Sequence, residues 1–509
     1  MHFTPPRFAA FAPPRGQDHA AVVIAGGGLV GLTAALDLAR HGVRVVVLDD
    51  DDTVSTGSRA ICFAKRTLEI YGRLGLGSRF LEKGVTWNQG RVFHGEREAY
   101  SFDLLPEEGH EYPAFVNLQQ YYAEAWLVEA CMATGRVELR WRNAVAGIEN
   151  RADGARLSVT TPAGPYTLHA DWLIAADGAR SFIRRALGLA FEGQVFRDRF
   201  LIADVVMQAA FPTERWFWFD PPFHPGQSVL LHRQPDDVWR IDFQLGWDAD
   251  PALEQQPERV RARVAQMLGS RGDDVPFELE WISIYTFRCR RMQRFRHGRT
   301  IFVGDAAHQV SPFGARGGNG GVQDADNLCW KLAAVLAGQA PDALLDSYDA
   351  ERIPAADENI LNSTRSTDFI TPKSDAARAY RDAVLELAAA HAFARPVVNS
   401  GRLSRPYEGA GRPAPDAPLL RNGRPDWLLR HTGDGFTVVS NGVVPATGLP
   451  AITLGQDFED HSGLAAARLG LGHGDAVLLR PDQHIAARIA AADAAGIAAA
   501  HRASLHAVA

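Results

Sequence analysis

Cysteine is scarce in this chain. Four occur among 509 residues (Cys62, Cys131, Cys289 and Cys329), and no two form a CxxC pair. That argues against a disulfide framework and against a metal site, and it suits a reducing cytoplasm. No run of 18 apolar residues is present, so no membrane span is expected. An excess of positive charge is missing too. The formal net charge is −7, with 53 Lys and Arg against 60 Asp and Glu, and nothing suggests a nucleic-acid surface. The first twenty residues hold prolines and no continuous apolar core, unlike a signal peptide. No internal repeat is visible, and the Ala-rich end is compositional bias.

What remains is an ordinary globular composition, 46% hydrophobic and 22% charged. The length calls for two or three domains. Residues 1–19 read as a flexible arm. Ala21 to Ala25, the helical spacing of Leu29 to Arg40 and the apolar Val43 to Leu48 predict a βαβ unit with a parallel sheet. Arg66 to Leu74 and Tyr121 to Ala133 read as helices. Leu157 to Leu168 reads as a meander strand and Trp172 to Ala176 as another strand. Residues 190–290 alternate, are rich in aromatics and predict an antiparallel sheet. The parallel theme returns at Thr300, with a helix from about Gly321 to Ala337. The expected organisation is α/β. A Rossmann-like domain takes residues 20–189 with 286–350, and an antiparallel sheet domain takes 190–285. A helical segment covers 351–405, Pro/Gly/Arg-rich residues 400–425 read as a linker, and a small α/β domain fills 406–509.

Three motifs carry chemistry. Gly26-Gly27-Gly28-Leu29-Val30-Gly31 satisfies G-x-G-x-x-G between a strand and a helix. Gly26 permits the tight turn, Gly28 lets a pyrophosphate approach and Gly31 allows close helix packing. Asp49 ends the next strand, where a carboxylate accepts hydrogen bonds from a ribose diol. Asp50 stands beside it, although Asp50 to Asp52 reads first as a solvated turn. The second motif is Asp177-Gly178 with Arg180 and Arg184, by itself a strand-terminal turn. The third is Gly304-Asp305, then His308, then a segment carrying Pro312, Gly314, Gly317, Gly318, Gly320 and Gly321. So many glycines cost regular structure its stability, and a backbone that must touch a ligand explains them better. A helix N-terminus there favours an anion.

In this order the three motifs resemble the class A flavoprotein aromatic hydroxylases, the para-hydroxybenzoate hydroxylase family. The resemblance runs from about residue 20 to 400. Further matches are Ser58-Arg59-Ala60, Gln120-x3-Glu124-x2-Leu127 and Ser347-Tyr348-Asp349-Ala350-Glu351-Arg352-Ile353-Pro354. The last 85 residues or so resemble the thioredoxin-like tail of the phenol hydroxylase branch, without redox cysteines. Ser311 departs from the family, standing first in its common Pro-Pro pair.

The resemblance implies an FAD- and NADH- or NADPH-dependent monooxygenase that hydroxylates a phenolic compound with O2 through a flavin C4a-hydroperoxide. It implies that Gly26, Gly28, Leu29, Val30 and Gly31 bind the FAD pyrophosphate and Asp49 the adenosine ribose. Arg59 is then expected at the diphosphate and Gln120 at the ribityl chain or ring. Asp177 and Gly178 serve FAD and NAD(P)H, and Gly304 and Asp305 hold the ribityl chain. Pro312 to Asn319 lie along the isoalloxazine, with the Gly318 and Asn319 N–H groups at its N1/O2 edge. Among the sheet residues Trp216, Trp218, Phe223, His232, Arg233, Arg240, Asp242, Gln244 and Tyr285 are pocket candidates. Pro312, Arg240, His232 and Tyr285 are the catalytic candidates, and Arg240 is expected to pair with a substrate carboxylate. Two alternatives stand beside this reading: a flavin halogenase-like enzyme, whose Trp-x-Trp-x-Ile-Pro pattern fails at Phe219-Asp220, and an FAD-binding interaction or sensor protein without turnover. A homodimer is compatible with all of these.

Overall fold

The computed structural model describes residues 3–14, 16, 18–269, 275–398, 411–442 and 446–506. The parallel sheet forms where the sequence is β-branched and continuously apolar. β1 (Asp18–Ala25) leads into α1 (Leu29–Arg40) and β2 (Val45–Leu48), and β1 lies between β2 and a later strand. In register, Val22 faces Val45 on one side and Trp172 on the other. Strand Thr300–Phe302 returns nearly 280 residues later and pairs parallel beyond Trp172's strand. Strand Val137–Arg140 closes the other side, after α2 (Gln120–Ala133).

Two sequence expectations are corrected in this domain. Leu157 to Leu168 is a hairpin rather than one strand. Ala155–Thr161 turns at residues 162–163 into β3 (Gly164–Ala175), which takes in the apolar stretch at Trp172. The N-terminal arm lies against the domain instead of apart from it. Phe3 stacks on Tyr121 at 4.8 Å and Phe8 on Trp141 at 4.3 Å, while Phe8 N donates to Asp52 O. Scattered aromatics in a proline-rich segment give no periodicity to read, yet each buries a large apolar ring.

The second sheet is built from β4 (Glu192–Met207), β5 (Arg215–Phe219), β6 (Ser228–Arg233), β7 (Val238–Leu245) and β8 (Phe277–Arg291). Its order is His308–Gln309, β8, β4, β7, β6, β5, then Gln89–His94 and Arg97–Asp103. The last two strands come from the first domain's stretch of chain and were not expected there. Alternation splits the sheet's residues between two faces. Trp216, Trp218 and Phe223 pack with Leu231, Ile241 and Phe243 on the face turned from the cleft. Phe200, Phe217, Leu230 and Phe287 occupy the other face.

Two helices then frame the cleft: α3 (Arg316–Leu336) and α4 (Asp346–Ile370). The expected linker lies outside the described residues through 410, including the boundary set at 405/406. The C-terminal unit carries a four-stranded sheet ordered Ala451–Leu454, Thr437–Asn441, Ala476–Leu479, Ile485–Ile489, with the first pair parallel and the rest antiparallel. Helix Ala494–His506 follows it. This is the order and sense of a thioredoxin-like sheet.

Candidate functional site

The two glycine clusters, almost 300 residues apart in sequence, meet in space. A Cβ built on Gly318 would lie 3.5 Å from Leu29 Cδ2 and 3.4 Å from Ala60 Cβ. Gly321 sits so close to Val30 that a Cβ would fall 2.5 Å from its methyl group. The N-termini of α1 and α3 therefore open onto one cleft, and both offer free backbone N–H groups to it.

At the first turn, Gly26 has φ +109, and a Cβ there would meet Ala176 O at 2.3 Å. A Cβ on Gly31 would meet Gly26 O at 1.9 Å, so helix and turn pack backbone to backbone. Gly28 is different. Its nearest neighbour is Glu124 Oε1 at 3.7 Å, which leaves open space for a ligand. Asp49 accepts from Gly27 N at 2.5 Å and Asp51 N at 2.8 Å, and burial pushes its carboxyl up to about 6. Asp50 is exposed, as expected of a solvated turn. Asp177 Oδ2 accepts from Ile183 N at 3.0 Å, while its buried Oδ1 has no protein partner. An orphaned acceptor in such a cleft fits a polar ligand. These features together fit a dinucleotide such as FAD.

At the second turn, α3 begins at Arg316, five residues earlier than the sequence suggests, and Gly317, Gly318, Gly320 and Gly321 are its first turns. The reason is that Ala315, at φ +54, already turns the chain as its N-cap. The N–H groups turned to the cleft are then those of Gly317 and Gly318, and the N–H of Asn319 begins the helical ladder. The Asn319 side chain is also committed, accepting from Ala64 N at 2.9 Å and donating to Cys62 O at 2.8 Å. Ser311 donates to Ser363 O at 3.2 Å, so α4 absorbs this departure from proline. Phe313 packs at 5.4 Å from Phe200 and 5.2 Å from Phe287, edge to face, and ties Pro312's segment to the antiparallel sheet.

Asp305 and Tyr285 mark the cleft wall. Each is exposed, Tyr285 by 41%, yet protein surrounds both closely enough that desolvation raises their pKa values. The charge of Asp305 is the next cause acting on Tyr285, which puts the two side chains near one another. Behind Asp305, His308 pairs with Asp324 at 2.6 Å, and Asp324 also receives Arg352 at 2.7 Å and Gly304 N at 3.0 Å. His308 is thus a structural ligand of the turn.

Three expected residues are placed otherwise. His232 is buried in a sealed polar layer with Arg215, Arg240 and Asp204, and burial, then Arg215, lowers it to about 4. It is a neutral imidazole with no open face to the cleft. Arg240 is not a free receptor for a carboxylate. Its Nε donates to Asp242 at 2.7 Å and its Nη1 to Ser58 O and Arg59 O at 2.9 and 3.0 Å. Burial would raise Asp242, but Arg240 and His232 together outweigh it and the carboxyl falls to about 2. Gln120 is occupied at both ends, by Ala60 N at 3.0 Å and Glu124 at 2.7 Å. Arg59 is exposed.

Glu124 was quoted in sequence only as part of a motif match, and its role was missed. Buried on α2, it accepts from Leu29 N at 3.1 Å and Ser55 N at 2.7 Å. The signal was its spacing of four from Gln120, which puts both on one helical face. Arg184, named with the second motif, belongs to a group of arginines of which Arg290 escaped. Arg184 is buried, lies 3.7 Å over Phe191 and donates to Ala306 O. Arg290 lies 4.8 Å over the same ring. Burial lowers the pKa of Arg184, and the like charges of Arg290, Arg185 and Arg288 lower it further, opposed by Asp177. Crowded guanidiniums beside an open cleft attract anions. Arg180 is exposed at its edge. Among the described residues no cluster of His, Cys, Asp or Glu could hold a metal ion, and no helix is long and apolar enough to cross a membrane.

A family model described as FAD binding domain matches residues 19–363. The chain is 31% identical over 476 residues to a rifampicin monooxygenase of Streptomyces venezuelae, covering 91% of this chain and 94% of that one. It is 31% identical over 501 residues to a 12-dehydrotetracycline 5-monooxygenase/anhydrotetracycline 6-monooxygenase of Streptomyces rimosus subsp. rimosus, with the same coverage. Among solved structures, aklavinone-11 hydroxylase in a ternary complex with FAD and aklavinone superposes with a TM-score of 0.78 at 25% identity, covering 96% of this chain and all of that one.

Proposed function

We propose, on the premise that this chain belongs to the FAD binding domain family and is a flavin-dependent monooxygenase, that it uses NAD(P)H and dioxygen to hydroxylate a phenolic ring. The observation that carries the reading is the meeting of Gly318 with Leu29, which turns two helix N-termini toward one cleft walled by Asp305 and Tyr285. Bound FAD would supply the redox chemistry, taking reducing equivalents from NAD(P)H and activating dioxygen.

The chain's own residues do the rest. The Gly26–Gly31 turn receives the pyrophosphate, with Leu29 and Val30 at the start of α1, and Asp49 takes the ribose. Arg59 approaches the diphosphate. Asp177, Gly178, Gly304 and Asp305 line the path of the ribityl chain. Gly314 has φ +89 and turns the backbone after Pro312, bringing the free N–H groups of Gly317 and Gly318 to the ring's electron-rich edge. Phe313, Phe200 and Phe287 exclude water on the sheet side. Tyr285 is the catalytic candidate that reaches the cleft, and with Pro312 it would orient the phenol. The arginines around Phe191 are the docking ground for the phosphates of NAD(P)H. Relatives spanning nine-tenths of the chain are named for polycyclic substrates, which favours a phenol within a fused ring system. Four buried, unpaired cysteines accord with work in the cytoplasm.

The test is a panel of single-ring phenolic acids and fused polycyclic phenols, with NADH and NADPH, scored for nucleotide oxidation and oxygenated product together. We expect yellow protein and product from at least one polycyclic phenol. Yellow protein that never couples oxidation to product would favour the sensor alternative.

A further inference from the structure

Three elements grip the segment from Ser55 to Ala64. From α2, Glu124 accepts from Ser55 N at 2.7 Å and Gln120 from Ala60 N at 3.0 Å. From α3, Asn319 donates to Cys62 O at 2.8 Å and accepts from Ala64 N at 2.9 Å. The third grip comes from the antiparallel sheet. Arg240 on β7 donates to Ser58 O and Arg59 O through one nitrogen, and Asp242 holds its Nε at 2.7 Å. Asp204, the cross-strand neighbour of Arg240 on β4, adds a second carboxyl beside it. Next to this grip, Gly57 backs onto Trp281 of β8 so closely that a Cβ would lie 2.3 Å from the indole. Arg59 of the gripped segment is exposed, and its neighbour Ala60 lies against the first turn of α3 at Gly318.

We propose that Arg240 is a positioning residue that pins the Ser58–Arg59 peptide to the antiparallel sheet, fixing Arg59 and Ala60 against the N-terminus of α3, rather than a receptor for a substrate carboxylate. The assignment rests on the reading that FAD seats between α1 and α3. Two backbone carbonyls and a carboxylate occupy the guanidinium in a buried layer. To turn its engaged Nε and Nη1 to a substrate anion it would have to abandon acceptors held in a buried layer, at the cost of leaving them unmet. A planar fork suits this task. It holds Asp242 and the two carbonyls at once, which a lysine ammonium does only in part.

The experiment compares the full-length parent with R240K, R240M and R240M/D242N. The double variant removes the carboxylate bonded to the lost guanidinium, and thermal unfolding of each variant separates a loss of fold from a loss of flavin binding. FAD dissociation constants are read by flavin fluorescence, the flavin environment by its visible spectrum, and substrate selectivity by the KM ratio of a carboxylated phenol to its decarboxylated analogue. We expect both methionine variants to bind FAD at least about tenfold more weakly with a shifted visible band, R240K to recover part of that loss, and the KM ratio to stay within about twofold. FAD affinity within about twofold of the parent, with a KM ratio raised about tenfold, would overturn the proposal in favour of carboxylate recognition. A parent that takes up no FAD would instead overturn the reading of the cleft on which the assignment depends.

Discussion

Single residues at this cleft separate into those that hold the fold and those that leave room. Gly31 and Gly28 belong to one motif, three positions apart, yet their surroundings differ. A side chain on Gly31 runs into Gly26 O at 1.9 Å and Ala176 Cβ at 3.2 Å, and neither neighbour can yield without opening the turn. A side chain on Gly28, whose φ of −83 suits any residue, meets nothing nearer than 3.7 Å. Gly31→Val is therefore expected to lower stability by about 3 kcal/mol through overpacking. Gly28→Ala should leave the unfolding midpoint of the flavin-free protein unchanged and strip the purified protein of flavin absorbance. Thermal unfolding and the ratio of flavin to protein absorbance separate the two. Equal loss of stability in both variants would mean that Gly28 also packs against protein.

At the scale of elements, the first turn of α3 is positioned from behind. Asp324, eight residues into the helix, gathers Gly304 N, His308 and Arg352 on one buried carboxylate. Desolvation would raise its pKa, but His308 and Arg352 reverse that and hold it below the usual carboxylate range. Asp324→Asn keeps the size and removes the charge, leaving Arg352 buried without its ion partner. A loss of about 3–5 kcal/mol is expected from breaking such a pair. Urea unfolding checks it, and a change under about 1 kcal/mol would refute it. Flavin retention should fall with it, because Gly304 and Asp305 lose their anchor.

Across the whole molecule, charged side chains join the C-terminal unit to the flavin-facing helices. Arg480 binds Glu351 of α4 at 2.8 and 2.9 Å, and Arg66 reaches both Asp326 of α3 and Asp482 O. Close by, a 260 Å³ cavity opens between the units, lined by Glu69, Glu111 and Asp416 among others. Burial, and then the charges of Glu69 and Glu111, push Asp416 up to about 6 from 3.8. The folded protein thus holds this proton more tightly than the unfolded chain. Its contribution is complete below about pH 4 and disappears as the pH rises through 6. Asp416→Asn can still accept from Leu429 N and cannot ionise. It is expected to match the parent near pH 4 and to exceed it by up to about 3 kcal/mol at pH 8. Denaturant titrations at both values test this, and an equal offset at the two would contradict it.

The sequence by itself determined the local geometry of the cofactor cleft. Strand, glycine turn and helix follow from residues within reach of one another, so Gly26–Gly31, Asp49, Asp177 and Gly304–Asp305 could be read from spacing and from the backbone freedom that glycine alone provides. The antiparallel sheet was legible for the same reason, as alternation is a local pattern. Only the tertiary structure decided which polar groups are already taken. Arg240, Gln120 and the Asn319 side chain looked free in the sequence, because their partners are backbone atoms some 180, 60 and 255 residues away and any residue type supplies a carbonyl or an N–H. The faces of the sheet were decided there as well. Alternation says that Trp216 and Tyr285 belong to strands, but which side meets the cleft depends on what packs against each face, and that is fixed by contacts the local pattern does not contain.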